Sequence, residues 1–362
     1  MNSRLKYFKQ LLAKQNFDAL LISVPANIIY LTSYAGFSKV EREAFLLITP
    51  KAQYIITDAR YSDAVREHIP GFTLIERAVS IKQTLQELFT KQKIQSLGFE
   101  DGNITVKEYV LLSSLLTHLK PVDLEQVRIL KTEEEVRKMQ RACDIGDKAF
   151  TYIQIKIKIG MTERELALEL ELFIRKNSGE LSFPTIVAFG KNSAVPHHHT
   201  SDQRLMTNDI ILLDFGVMYE NYCSDMSRTL FMGSPTEEQK KVYQIVLDSQ
   251  KKAIKYLQIS LEQIPDTEPK ASEVDKAARE YIISKGYPSI PHSLGHGIGL
   301  DVHEAPTLSP KSEQILTDSM VFSIEPGIYL SGKFGVRIED LFTITNGRLI
   351  QLTKATNSLI RL

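Results

Sequence analysis

The sequence predicts an α/β (α+β) fold in two domains, and three observations support this prediction. The chain has 362 residues, which is long for a single hydrophobic core. Helix-like and strand-like segments alternate through its first third. The rest of the chain contains two similar copies of a helix followed by a long hairpin. We therefore expect an α/β domain over residues 1–125 and a second, internally repeated domain over residues 126–362.

Composition and charge limit the function classes. Lys plus Arg total 44 and Asp plus Glu total 44, so the net charge at pH 7 is zero. Because nucleic-acid binders normally carry a basic surface, we expect no nucleic-acid partner. The sequence shows neither a signal-peptide pattern nor an apolar run long enough for a bilayer, so we expect no membrane partner. With Cys143 and Cys223 as the only cysteines, a reducing, cytoplasmic location is predicted.

The first domain is predicted to alternate helices and strands. Residues 3–16 carry apolar side chains at helical spacing, and the apolar segment DALLISV then predicts a strand. The runs AFLLIT and QYIIT, joined by a PKA turn, predict two more strands, and SIKQTLQELFTKQ predicts a helix. No GxGxxG motif follows the first strand, so the dinucleotide-binding pattern is excluded.

The second domain is predicted to begin with a long helix. A boundary is expected near residues 122–132, where Thr132 is a suitable N-cap and glutamates follow in the first helical turn. Two later segments, beginning at Thr162 and Ser272, each predict an N-capped amphipathic helix. Their residue numbers differ by 110, which indicates an internal pseudo-two-fold repeat.

Each predicted repeat helix is followed by a hairpin that carries two acidic residues. A tip near Tyr219 and Glu220 would place Asp214 directly opposite Asp225, and a tip at Gly332 would place Glu325 opposite Glu339. Like charges that face each other across two strands are destabilising, so such pairs require a cation. The alternative is that each acid lies in water at a frayed edge or pairs with an arginine. The recurrence of the pair at the repeat spacing favours the cation.

A glycine-rich segment, HSLGHGIGLDVHE, adds three of the eight histidines of the chain. Four carboxylates and one imidazole suit two divalent metal ions about 3.5–4 Å apart. A site rich in carboxylates and free of thiolate favours Mn²⁺, although Co²⁺, Zn²⁺ or Fe²⁺ would also bind. The reaction class that this predicts is metal-assisted hydrolysis.

At these residues the chain resembles the pita-bread metallopeptidases, family M24, which include aminopeptidase P, prolidase and methionine aminopeptidase. The matching segments are LLDFG, SDMSRT, HSLGHGIGLDVHE, IEPGIY and GVRIED, in this order. NIIYLTSYAGFS, ITDARYS and LGFE are similar to the creatinase-type N-terminal domain of prolidases and aminopeptidase P. The resemblance therefore implies a creatinase-like domain followed by a pita-bread domain, and it disfavours methionine aminopeptidase, which lacks the first.

The resemblance also implies roles for individual residues. The implied metal ligands are Asp214, Asp225, His296, Glu325 and Glu339. Glu325 would also carry a proton between a metal-bridging hydroxide and the leaving nitrogen. His303 and His197 would contact the substrate at the scissile bond, and the alternative of a metal site in the run His197–His199 is disfavoured. The residues expected around the ligands are His292, Arg337, Tyr329 and Phe183; the last two are equally compatible with core packing.

The implied activity is removal of the N-terminal residue from peptides with proline at the second position, as in aminopeptidase P. A prolidase restricted to Xaa-Pro dipeptides is the first alternative. Creatinase, which works without metals, and a non-catalytic peptide-binding or protein-binding module are alternatives from other classes. Both are disfavoured because every implied ligand position holds an acid or a histidine. The resemblance also implies a homodimer.

Overall fold

The structure, a computed structural model, describes residues 3–77, 80–263 and 268–362. Contacts within the chain divide it into two compact units, Met1–Gln126 and Val127–Leu362. None of the helices within the described ranges combines the length and the apolar character that a membrane span requires.

The N-terminal unit is built on one mixed sheet. Its helices and strands, in chain order, are α1 (Ser3–Gln15), β1 (Ala19–Ile22), α2 (Pro25–Thr32), β2 (Ala44–Ile48), β3 (Gln53–Thr57), α3 (Ser62–His68), β4 (Thr73–Glu76), α4 (Ile81–Gln92), β5 (Ser96–Phe99), α5 (Val106–Ser113) and β6 (His118–Pro121). The strand order is β4-β3-β2-β1-β5-β6, in which β2 is antiparallel to both neighbours and the other pairs are parallel. The predicted strands DALLISV, AFLLIT and QYIIT are β1, β2 and β3. Every residue of β1 and β2 is buried, which explains why these segments are continuously apolar.

The helices of the C-terminal unit fall into two pairs. They are α6 (Glu133–Gln154), α7 (Glu163–Lys176), α8 (Glu237–Glu262) and α9 (Ala271–Ser284). The predicted N-caps Thr132 and Thr162 are confirmed. The hydroxyl of each accepts a hydrogen bond from the backbone N–H of the glutamate three residues later, and the carboxylate of that glutamate accepts one from the backbone N–H of the threonine. The predicted cap Ser272 is wrong. Helix α9 begins at Ala271, two residues earlier than a helix capped by Ser272 would, and its N-cap residue Lys270 makes no side-chain capping hydrogen bond.

The strands of this unit form several antiparallel sheets. In chain order they are β7 (Glu180–Leu181), β8 (Ile186–Phe189), β9 (Ile210–Phe215), β10 (Val217–Tyr219), β11 (Tyr222–Cys223), β12 (Met226–Phe231), β13 (Gly295–Gly297), β14 (Glu304–Leu308), β15 (Val321–Ile324), β16 (Gly327–Leu330), β17 (Phe334–Arg337), β18 (Asp340–Thr345), β19 (Arg348–Gln351) and β20 (Ile360–Arg361). The larger sheets have the orders β20-β12-β9-β8 and β14-β13-β15-β18-β19, with β20 parallel to β12. Strands β11, β10 and β7 form a smaller sheet, and β16 pairs with β17.

Each repeat has its own hydrophobic core. In the first repeat, α6 and α7 pack on β8, β9 and β12 through residues such as Phe150 and Leu213. In the second, α8 and α9 pack on β15 and β18 through residues such as Val246 and Phe322. Because strand side chains alternate between the two faces, the residues next to these core positions face away from the helices. The predicted acids occupy such positions.

The register of the first hairpin differs from the prediction. Asp214 lies opposite Ser227, not opposite Asp225. The turn lies at Glu220 and Asn221, whose φ angles are 46° and 73°, because asparagine tolerates the left-handed conformation that this tight turn needs. Asp225 is therefore the diagonal neighbour of Asp214 on the same face. In the second hairpin the pairs Ile324–Asp340 and Gly327–Arg337 continue one register, and this places Glu325 opposite Glu339 as predicted.

Candidate metal centre

The polar faces of the two hairpins bring the predicted ligands together. Leu213 and Phe215 point into the first core, so Asp214 between them points to the opposite face. Ile324 and Ile338 point into the second core, and Glu325 and Glu339 follow them on the other face. His296 lies in β13, which pairs with β15. The site is thus built from the same position of both repeats.

Three of these residues form a compact group of ligand atoms. One atom each from Asp225, His296 and Glu339 lies within 4.8 Å of the other two. The Nε2 atom of His296 is 3.8 Å from Asp225 Oδ2 and 3.4 Å from Glu325 Oε1. Among the residues that the structure describes, this is the single group of three or more such side chains that could hold a metal ion.

The orientation of His296 suits metal binding. Its Nδ1 is 3.0 Å from the carbonyl oxygen of Gly297, so this nitrogen carries the proton and donates it. Burial lowers the pKa of His296 to about 4, so the ring is neutral at pH 7. The lone pair of Nε2 then faces the oxygens of Asp225 and Glu325. Electron pairs that face each other in this way repel, and a proton or a metal cation between them removes the repulsion.

The electrostatics of the acids lead to the same conclusion. Burial, together with the charges of its neighbours, raises the pKa of Asp225 well above its usual range. The pKa of Glu325 is raised for the same reasons. Burial, with the charge of Asp214 next, raises the pKa of Glu339 to about 8. Without a cation, these carboxylates therefore resist ionisation at neutral pH.

Two buried oxygens test whether a metal fits. Asp225 Oδ1 and Glu339 Oε1 have no hydrogen-bond partner within the described part of the chain, although both residues are at least 95% buried. A buried carboxylate oxygen without a partner is costly, and a divalent cation would satisfy both. The donor set of carboxylates and one imidazole is one that such cations accept. The residues present therefore fit a divalent metal.

Arg337 connects both repeats beneath this group. Its side chain is buried and donates from Nη2 to Asp214 Oδ2 at 2.6 Å and from Nε to Ser227 Oγ at 2.6 Å. Ser227 Oγ in turn donates to Glu339 Oε2 at 2.9 Å. One guanidinium thereby orients an acid from each hairpin, as residues around metal ligands commonly do.

Replacing Arg337 by methionine is expected to destabilise the protein by about 3–5 kcal/mol, because Asp214 would lose its buried cationic partner. Urea unfolding of the metal-free protein measures this change. The matched control is Arg164→Met, since Arg164 forms a largely exposed pair with Asp202 and such pairs contribute little. Equal stability of both variants would contradict this account of Arg337.

His292 and Tyr329 extend the hydrogen-bond chain from Arg337. Arg337 Nη1 donates to the Tyr329 hydroxyl oxygen at 2.9 Å. That hydroxyl lies 3.1 Å from His292 Nε2, while His292 Nδ1 lies 2.7 Å from the carbonyl oxygen of Ser293. Burial lowers the pKa of His292 to about 4, so the ring is neutral and its Nε2 accepts a hydrogen bond from the Tyr329 hydroxyl. Tyr329 therefore lies in this network and not in a hydrophobic core.

The remaining predicted residues border the group. The rings of His303 and His296 are 4.4 Å apart and edge-on, and His303 is exposed. His197 is also exposed and close enough to His303 and His292 to influence their ionisation. Phe183 packs beside Gly216 in the first hairpin, where a Cβ atom would lie 2.7 Å from its ring. Exposed imidazoles beside a buried cluster of carboxyl groups are suitable for contact with a bound molecule.

The histidine run does not form a second metal group within the described residues. His198 Nε2 lies 2.8 Å from Glu163 Oε2, and that carboxylate also accepts hydrogen bonds from three other residues. The disfavoured alternative of a separate metal site at His197–His199 therefore gains no support from the structure.

Two serines in the site were not predicted. Ser227 links Arg337 to Glu339, and Ser323 Oγ accepts from the His296 backbone N–H and donates to Glu325 Oε1 at 3.3 Å. Both serines are fully buried. A period-two reading of the strands could have found them, because each lies two residues from a predicted ligand on the same face.

A buried ion cluster holds the segment that carries His303. Glu304 accepts from Arg128 Nε at 3.0 Å and from Lys131 Nζ at 3.0 Å, and all three side chains are at least 94% buried. Although burial raises the pKa of Glu304, the charges of Lys131 and Arg128 lower it overall. Arg128 also donates to Asp301 Oδ2 at 3.1 Å. We define Arg128, Lys131 and Glu304 as the Glu304 clamp.

Comparison with protein families identifies both parts of the chain. Residues 137–346 match metallopeptidase family M24, and residues 4–132 match the creatinase/prolidase N-terminal domain. These matches confirm the predicted fold class and the predicted resemblance.

Individual relatives agree along nearly the whole chain. An Xaa-Pro dipeptidase from Pyrococcus horikoshii is 35% identical, with 99% of each chain covered. The structure is similar to that of an Xaa-Pro dipeptidase from Bacillus anthracis, with a TM-score of 0.90, 33% identity and 99% of each chain covered. It is also similar to an X-Pro aminopeptidase from Thermotoga maritima, with a TM-score of 0.84, 34% identity and coverage of 96% of this chain and 98% of that one.

Proposed function

The chain belongs to metallopeptidase family M24, and from this premise we propose that it is an Xaa-Pro dipeptidase. The observation that carries the proposal is the complete donor set, in which Asp225, His296 and Glu339 form one group beside Asp214 and Glu325. A protein that had become a binding module would not need unpartnered buried carboxylate oxygens. We prefer the dipeptidase activity to the aminopeptidase activity, because two relatives that match 99% of this chain are named Xaa-Pro dipeptidases.

We assign two divalent metal ions to Asp214, Asp225, His296, Glu325 and Glu339. When bound, such ions supply Lewis-acid chemistry, which polarises a peptide carbonyl and lowers the pKa of water at the site. The oxygen-rich donor set favours Mn²⁺ over the softer alternatives. Metal analysis of the purified protein by mass spectrometry checks both the identity and the stoichiometry.

The side chains around these ligands supply the remaining chemistry. The Glu325 side chain is 16% exposed, against 13% for Asp214, which is paired with Arg337, and 7% for Asp225, so we assign the proton transfer to Glu325. In the proposed reaction its carboxylate takes a proton from the attacking water and passes it to the leaving proline nitrogen. His303 and His197 bind the substrate at the scissile bond, while Arg337 and Tyr329 keep Asp214 and His292 in place.

The chemistry of the Xaa-Pro bond fits this arrangement. The bond is a tertiary amide without an N–H group, so an enzyme that relies on accepting a hydrogen bond from that group recognises it poorly. Here the site residues would hold a metal ion that polarises the carbonyl, and Glu325 would give the nitrogen its proton. No acceptor for a backbone N–H of proline is needed.

The test is mass-spectrometric detection of alanine release by the manganese-loaded protein. We expect rapid hydrolysis of Ala-Pro, none of Ala-Ala, and release from Ala-Pro-Ala that is slower by about tenfold or more, since a small difference in binding free energy gives such a factor. Glu325→Ala is the inactive control. Equal or faster cleavage of Ala-Pro-Ala would favour the second candidate, an aminopeptidase like the Thermotoga protein. Absence of Ala-Pro cleavage would contradict the proposal.

Two further expectations stay predictions, namely a homodimer and a cytoplasmic location. Sedimentation analysis at several protein concentrations measures the first, and fractionation of cells that produce the protein measures the second.

A further inference from the structure

Glu163 is a fully buried carboxylate that the proposed reaction does not use. It is the first residue of α7 and has no exposed surface. Its Oε1 accepts from the Phe189 backbone N–H at 2.8 Å and from Asn192 Nδ2 at 2.9 Å. Its Oε2 accepts from the Ser201 backbone N–H and hydroxyl at 2.9 and 2.6 Å and lies 2.8 Å from His198 Nε2. Five donors on one carboxylate far exceed what helix capping requires.

These contacts close one segment at both of its ends. Phe189 and Ser201 bound the segment 189–201, and His197 lies within it. The other side of this segment contacts the metal centre, because Pro196 O accepts from Arg337 Nη1 at 3.2 Å and Ser193 Oγ accepts from the Gly335 N–H at 2.9 Å. The position of His197 therefore depends on Glu163 behind it and on β17 in front of it.

The second repeat also binds a segment of the site to its helix through a buried acid, although at a different helix position. Asp275 in α9 is also fully buried, and its Oδ1 accepts from the Leu294 backbone N–H at 3.1 Å. Asp275 also holds Arg279 through two bonds of 2.7 Å, and Arg279 Nη2 donates to the carbonyl oxygen of His292 at 2.9 Å. The segment 289–294, which carries His292, is thereby bound to the repeat helix, as 189–201 is in the first half.

We propose that Glu163 and Asp275 are positioning residues, one in the corresponding helix of each repeat, and that each of them fixes the segment that carries one histidine of the site. Each repeat then supplies a buried acid that supports the site as well as metal ligands. Glu163 acts on the reaction through His197, and Asp275 acts through His292. This inference rests on the proposed function for the roles of the two histidines, but the fixation of the segments can be measured without any substrate.

The burial of these carboxylates explains why the anchors are strong. Although burial alone raises the pKa of Glu163, hydrogen bonds from Ser201, Asn192 and His198 lower it overall, so the side chain is ionised. Bonds to an ionised acceptor are about twice as strong as bonds between neutral groups. In Glu163→Gln the side-chain volume changes little, but one carboxylate oxygen becomes an NH₂ group, which cannot accept a hydrogen bond. The donors that this oxygen bound lose their acceptor, so at least one end of the segment 189–201 is released.

The test combines Glu163→Gln with His197→Ala in a double-mutant cycle on Ala-Pro. We expect Glu163→Gln alone to lower kcat by about tenfold to a hundredfold, as loss of a residue that orients a site commonly does. In the His197→Ala background the same change should have a much smaller further effect, because the histidine through which Glu163 acts is then absent. Asp275→Asn with His292→Ala forms the parallel cycle. Glu165→Gln is the matched control, since Glu165 lies in the same helical turn and only caps α7.

Hydrogen exchange of the backbone amides gives a readout that does not need activity. We expect the Phe189 and Ser201 amides to exchange at least about tenfold faster in Glu163→Gln, with the amides of β9 unchanged. If Glu163→Gln fails to fold, the milder variant Ser201→Ala takes its place, and we expect a smaller increase in the exchange rate of the same amides. Unchanged exchange would contradict the claim that Glu163 fixes the segment 189–201. Equal losses of kcat in the presence and absence of His197 would contradict the claim that Glu163 acts through His197. Absence of Ala-Pro cleavage by the wild type would contradict the proposed function and leave the exchange result to decide the anchoring.

Discussion

Replacing Glu339 by glutamine is expected to abolish peptide hydrolysis and, without metal at pH 8, to raise the melting temperature. Activity should fall by more than about a hundredfold, because Lewis-acid catalysis contributes several kcal/mol. Stability should rise because the neutral amide removes a charge that burial and Asp214 disfavour, as the raised pKa of about 8 indicates. Opposite effects on activity and stability are the signature of a residue kept for function.

The measurements are Ala-Pro hydrolysis with manganese and thermal unfolding with a chelator at pH 8. Glu238→Gln serves as the control, since Glu238 is exposed, pairs with Lys333 and should change neither quantity. A Glu339→Gln variant that keeps its activity would remove Glu339 from the ligand set. A variant that melts at a lower temperature than the wild type would show that the buried charge is already compensated without metal.

Metal removal is expected to make the protein increasingly unstable as pH rises from 6.5 to 8. Folded Glu339 keeps its proton up to about pH 8, whereas the unfolded chain releases it near the ordinary value of 4.5. The folded state therefore binds more protons in this window, and stability falls with pH. His292 and His296 act in the opposite direction, because their pKa values fall from 6.5 to about 4, but they contribute only below pH 6.5.

Divalent metal should reverse this trend, since it replaces the protons on the carboxylates. At a metal concentration a hundredfold above Kd, binding at one site adds about 2.7 kcal/mol, which corresponds to roughly 5–10 °C for a domain of this size. Thermal unfolding with and without Mn²⁺ at pH 6.5, 7.2 and 8.0 measures the difference. A metal effect that does not grow with pH would contradict the proposed protonation of the metal-free site.

Several parts of the site could be predicted from local patterns. The acids of the second hairpin lie as expected because a turn at Gly332 leaves the strands without an irregularity. In the first hairpin, Glu220 and Asn221 form the turn, and this moves the partner of Asp214 by two residues. The face of each acid was still correct, since side chains alternate with a period of two and the shift was even.

Other parts depend on contacts that no local pattern contains. Ser227 joins Arg337 and Glu339 across more than a hundred residues of sequence, and Glu163 binds a segment that begins 26 residues later. The glycines on either side of His296 also depend on contacts with residues distant in sequence. A Cβ atom at Gly295 or Gly297 would collide with the backbone of a neighbouring strand, so these glycines serve strand packing.

The Glu304 clamp has a consequence for how this enzyme could exchange modules during evolution. Arg128 and Lys131 precede α6, and they lie before residue 137, where the match to the peptidase family begins. A recombination event that joined an unrelated N-terminal domain at residue 137 would remove Arg128 and Lys131. Glu304, next to His303, would then be buried without its cationic partners. Such a loss of a buried partner costs about 3–5 kcal/mol. Viable fusions of this peptidase core with new N-terminal modules must therefore inherit the linker from Arg128 onward.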